Sequence, residues 1–139
     1  MKRFSFPLER VLVYRRSQAD IEKAKLAALE TQLSDLRTQQ QKLQDDFRSE
    51  VAQVGANPQA RAELGRYRMV VETQAMRLAK QFSELQAQVL AQRNQYIKAN
   101  QAAEVLVKVK DKQKKTWEHE MQKELDSLAM DSYLSRWKQ

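Results

Sequence analysis

The side chains able to do chemistry in this chain are few and scattered. His119 is the single histidine and cysteine is absent, so no zinc ligand set and no serine–histidine pair can be located. No glycine-rich phosphate loop and no Gly-Lys-Ser/Thr triplet occurs. Adjacent acids such as Asp45 and Asp46 point to different sides of a helix, and no concave fold is expected to gather carboxylates into a water-excluded pocket. No catalytic residue, metal site or cofactor is therefore expected, and the chain reads as a non-enzyme. What remains is binding chemistry. Lys108, Lys110, Lys112, Lys114 and Lys115 form a basic run interrupted among charged residues only by Asp111, and Trp117, Met121, Leu125 and Leu128 follow at spacings of four, four and three. The lysines read either as a solvated helix surface or as a contact for an acidic partner. The apolar stripe gains nothing in water, so it is expected to meet a partner or a second copy.

Long helices must position these residues. With only two glycines and two prolines in 139 residues, and a large share of Ala, Gln, Glu, Lys, Leu and Arg, the composition is that of long helices. The pattern breaks sharply only at Val54-Gly55-Ala56-Asn57-Pro58. Glycine tolerates the left-handed conformation that ends a helix, and the residue before a proline is pushed away from helical angles. Gly65 lies inside the second helix, where it weakens the helix without ending it. Pro7 suits a first helical turn. The expected fold is all-α: a long two-helix antiparallel coiled-coil hairpin over residues 1–139, with helix 1 at about 7–54, a turn at 55–58 and helix 2 at about 59–130.

In helix 1 the seam runs Leu26, Leu29, Leu33, Leu36, Gln40, Leu43 and Phe47, and extends backwards more weakly through Glu22, Ala19, Arg15, Leu12 and Leu8. In helix 2 it runs Leu64, Arg68, Val71, Ala75, Leu78, Phe82, Leu85, Val89, Gln92, Tyr96, Ala99, Ala103 and Leu106. Folding back at Asn57 pairs Leu43 with Val71, Leu36 with Leu78, Leu26 with Val89, Leu12 with Ala103 and Leu8 with Leu106. A slip by one heptad would move the midpoint off the turn, so the turn selects the register. Ala19 then faces Tyr96, Gln40 faces Ala75, and Glu22 opposite Gln92 makes a polar layer of the kind that fixes register.

In this register the residues after Val107 have no partner within the chain, and as a helix they protrude by about 45 Å as a C-terminal extension. Phe4 and Phe6 are expected to pack back on the first helical turn as a hydrophobic staple. The segment from Leu134 to Gln139, with Trp137, either folds back or frays. No sustained apolar region resembles a signal peptide, and no span is long enough to cross a bilayer, so a cytoplasmic, soluble protein is expected. The net charge of +7 favours acidic partners in general. A basic-zipper reading fits poorly, because the hairpin uses up the seam and the lysine run lacks the arginines and asparagines that read bases; no nucleic acid partner is expected.

Phe4-Ser5-Phe6-Pro7-Leu8-Glu9-Arg10-Val11-Leu12, followed by Tyr14-Arg15-Arg16, resembles the N-terminal signature of the flagellar export protein FliJ family. A central break, a long second helix, a Lys-rich stretch with Trp117 and the ending Leu125-Asp126-Ser127-Leu128-Ala129 are similar to that family's layout, so the resemblance covers nearly the whole chain. The opening motif is moderately specific, whereas the remainder is shared by many coiled coils. Where the family often carries a second acidic residue, Ser127 stands here. The resemblance implies an antiparallel coiled coil like the central stalk of rotary ATPases, in the cytoplasm at the flagellar basal body, serving bacterial flagellum biogenesis, motility and type III protein transport. Implied partners are the flagellar export ATPase ring, the cytoplasmic domain of the export gate protein FlhA, and export chaperones. Carried onto this sequence, the ring-facing candidates are Lys108, Lys110, Lys112, Lys114, Lys115, Trp117, Met121 and Leu125. The gate-facing candidates are Gln39, Leu43, Val71, Ala75 and Leu78. The alternatives are an escort for export chaperones and a structural coiled coil that self-associates through Trp117 to Leu128.

Overall fold

The computed structural model describes residues 2–138; Met1 and Gln139, the last residue of the C-terminal segment considered above, lie outside the described residues. Two helices, α1 (Glu9–Gln53) and α2 (Pro58–Trp137), pack against each other as an all-α hairpin, with no strand among the described residues. The helix-favouring composition needs little help at its ends. Glu9 places a negative charge in the first turn of α1, where the helix dipole favours it.

The connection between the helices is made by Asn57 and Pro58. The Asn57 side-chain oxygen accepts the Gln59 N–H at 3.0 Å, and its carbonyl accepts the Arg61 N–H at 3.1 Å, so Asn57 caps α2 and Pro58 occupies the first helical position. Gly55 departs from expectation: no described glycine has a positive φ, so α1 ends without a left-handed residue. The constraint that Pro58 puts on Asn57 remains to break the helix.

The chain divides into two compact units. One comprises Ile21–Tyr96. Its α1 seam, Leu26, Leu29, Leu33, Leu36, Gln40, Leu43 and Phe47, is half-buried at each position, against Leu78, Leu85 and Val89, which are buried, and Val71, Phe82 and Gln92, which are half-buried. The Phe47 and Tyr67 rings lie 6.1 Å apart, and the Arg37 guanidinium sits 5.6 Å from the centre of the Phe82 ring. Ala75, expected opposite Gln40, is exposed, while Gln40 is half-buried.

The other unit contains the residues up to Asp20 and those from Ile97 onward. Its core is Phe6, Leu12, Ala19 and Ala103, and Leu12, at 0% exposure, is the most deeply buried of the large side chains. Leu8, expected to pair with Leu106, is instead 42% exposed. Pro7 and Leu8 form a turn before α1 begins, and Phe6, ahead of that turn, is buried. The N-terminal third of α1, weak as a seam pattern, thus packs more tightly than its middle.

Candidate functional site

The ring-facing candidates all lie on α2 within this second unit. Lys108, Lys112 and Lys115 stand at i, i+4 and i+7 and so share one face of the helix. Their side chains are exposed, and no carboxylate pairs with them among the described residues. Such a face attracts acidic groups at a strength that salt reduces. Lys114 is also exposed. Lys110 differs: it is half-buried, and its Nζ meets Glu9 Oε2 at 2.8 Å, so its charge is engaged at the start of α1.

Trp117 is likewise engaged, contrary to the expectation that everything after Val107 is unpartnered. Residues 2–6 form a non-helical arm whose outer part meets α2 at Trp117. The Trp117 indole Nε1–H donates to the Lys2 carbonyl at 3.1 Å, and the Phe4 ring lies 5.9 Å from the Trp117 ring, tilted by 52°. Phe6 is buried at 7% exposure, and its carbonyl accepts the Glu9 N–H at 3.1 Å. The staple expected for the two phenylalanines is therefore replaced at Phe4 by a contact with α2.

Met121 is half-buried, and beyond it every described residue of α2 is exposed. The free part of the stripe begins at Leu125 and Leu128, which are 46% and 61% exposed. The helix continues to Trp137, past the expected end near residue 130, with no fold-back at Leu134. Met130, Tyr133, Leu134 and Trp137 add exposed apolar surface that the candidate set omitted, and the Tyr133 and Trp137 rings lie 6.2 Å apart at the usual i, i+4 spacing.

Comparison of the chain with protein-family models, with curated proteins and with solved structures finds no match.

The gate-facing candidates lie in the Ile21–Tyr96 unit. Gln39, Leu43 and Leu78 line one shallow groove together with Lys42, Asp46, Gln74 and Arg77. Gln39 is exposed at its rim, Leu43 is half-buried and Leu78 is buried. Val71 is half-buried and Ala75 is exposed; neither lines this groove. Charged and amide side chains therefore flank a narrow apolar strip, which suits recognition of a helix or loop better than enclosure of a small molecule. Among the described residues there is no group of three or more His, Cys, Asp or Glu side chains placed to hold a metal ion, and no helix long and apolar enough to cross a membrane.

Proposed function

We propose that this chain is a non-enzymatic component of the flagellar type III protein export apparatus. The C-terminal part of α2 docks into the export ATPase ring and stimulates it, and the groove at Gln39 and Leu43 contacts the cytoplasmic domain of the export gate protein FlhA. Two things support the reading: the Phe-x-Phe-Pro-Leu-Glu-x-Val-Leu opening, and a two-helix hairpin whose second helix carries a run of exposed apolar residues from Leu125 to Trp137. The second observation carries it. Large apolar side chains kept in water on one helix need a partner to cover them. The unpaired lysines Lys108, Lys112 and Lys115 suit a partner with an acidic surface. Any ATP chemistry belongs to the ring, in the cytoplasm at the base of the flagellum. Export chaperones remain partners in this reading, and an escort role for them is the second function it admits.

The test is the ATP hydrolysis rate of the cognate export ATPase with the intact chain and with a chain ending at Met121, which keeps Trp117 and the arm. Stimulation by the intact chain alone is expected. Equal stimulation by both would move the active surface away from Leu125 to Trp137, and stimulation by neither would leave the escort or a self-associating coiled coil as the better account.

A further inference from the structure

We propose that the N-terminal arm, residues 2–6, is a displaceable cover on the α2 stripe: it occupies Trp117 in the free protein and is lifted when the ring docks. This rests on the reading that α2 carries the docking surface. The arm's anchors weaken outward. Phe6 is buried at 7% exposure, Phe4 is half-buried, and Lys2, Arg3 and Ser5 are exposed. Ser5 therefore provides a hinge at which residues 2–4 leave while Phe6 stays in the core.

What holds the outer part is one tilted aromatic pair and one neutral hydrogen bond, Phe4 with Trp117 and Trp117 with the Lys2 carbonyl. Together such contacts favour the closed arm by roughly 5- to 150-fold, so the arm is shut most of the time and still opens without help. The stripe it covers does not stop where the arm stops. Trp117 and Met121 are half-buried, and Leu125 and Leu128 continue the same line in water. A partner gripping Leu125 and Leu128 reaches the indole, the largest apolar group on the stripe, only by displacing Phe4. Its matching surface is an apolar groove edged with carboxylates, since the exposed Lys114 and Lys115 precede Trp117.

The experiment uses the full chain carrying Trp137→Phe, which leaves Trp117 as the single indole. In that background Phe4→Ala should shift Trp117 emission to the red and raise its quenching by acrylamide, with helix content by circular dichroism unchanged. In the chain that keeps Trp137, Phe4→Ala should raise affinity for the assembled ATPase ring about two- to tenfold, because opening no longer works against the ring pair. Phe4→Tyr keeps the ring pair and should behave as the parent, and a chain lacking residues 2–5, which also loses the Lys2 carbonyl, should change in the same direction as Phe4→Ala and at least as far. A Trp117 environment unchanged by Phe4→Ala overturns the proposal. So does an exposed Trp117 with equal or weaker ring binding, which would make the arm part of the docking surface. If no form binds the ring, the docking reading falls and this one with it; the fluorescence then separates an arm that opens with nothing to yield to from an arm that never covered Trp117.

Discussion

Gln92 reaches from α2 to Glu22 on α1 and donates through Nε2 both to the Glu22 carboxylate and, at 3.1 Å, to its backbone carbonyl. Both residues are half-buried in the seam, and Lys25 adds a partner to the same carboxylate at 3.6 Å. A slip of one heptad would set Glu22 against Leu85 and Gln92 against Arg15, or Glu22 against Ala99 and Gln92 against Leu29. Either change strands a carboxylate in the seam, where it costs free energy. The turn and this polar layer therefore specify the same register.

Replacing Gln92 by leucine should cost about 1–3 kcal/mol, because the half-buried Glu22 carboxylate and carbonyl lose the Gln92 donor and the carboxylate keeps only Lys25. The double variant Glu22→Leu/Gln92→Leu should recover that loss and exceed the parent, since a well-packed apolar layer is often more stable than the polar one it replaces. Urea unfolding followed by circular dichroism checks both. A double variant less stable than the single would mean that the layer stabilises the hairpin outright instead of selecting its register.

Leu12 and Leu8 are the same residue type, four apart, with opposite expected costs. Leu12 is fully buried, so Leu12→Ala should lose about 3 kcal/mol through transfer and cavity terms. Leu8 is 42% exposed, and Leu8→Ala should lose under about 1 kcal/mol. Equal losses in thermal unfolding would return Leu8 to the seam.

Gly65 sits inside α2, and a Cβ built there meets nothing within 4 Å. Gly65→Ala should stabilise by about 0.5–1 kcal/mol, since alanine removes backbone freedom from the unfolded chain and no clash opposes it. A rise in melting temperature of about 3 °C is the expected readout. A fall would show that glycine is needed at that point for something other than helix formation.

Much of the hairpin was legible because its two determinants are local in sequence: a three-four spacing repeated along each helix, and a proline that fixes where the pattern turns. The partnership of Glu22 with Gln92 followed from these alone. Spacing gives direction and not depth of burial, however: Ala75 is exposed at a seam position, whereas Ala103, the same residue type in the same seam, is buried. It also treats the helix as the only packing element, so it gives no core place to Phe6, a buried residue outside any helix. For the candidate site, spacing correctly put Trp117, Met121, Leu125 and Leu128 on one stripe. It could not show that Trp117 and Lys110 are already engaged, because their partners Phe4, Lys2 and Glu9 stand at the far end of the sequence, and no periodicity connects them.

Among the gate-facing candidates, burial decides which substitution can report on binding. Leu78 is 8% exposed, so Leu78→Ala should cost about 2–3 kcal/mol of stability, and any lost binding would be confounded with lost fold. Gln39 stands exposed on the rim of the same groove, and Ala75 is exposed outside it. Gln39→Ala should change stability by less than about 0.5 kcal/mol. If the groove is the gate contact, that substitution should weaken binding to the FlhA cytoplasmic domain by about fivefold or more, as loss of an interface side chain worth 1 kcal/mol or more does. Ala75→Arg adds bulk on the exposed side without entering the seam; it should weaken binding only if the contact extends beyond the groove. Calorimetric titration of both variants, each with its melting temperature unchanged, is the check. Binding equal to the parent in both would place the gate contact elsewhere on the chain while leaving the hairpin and its register untouched.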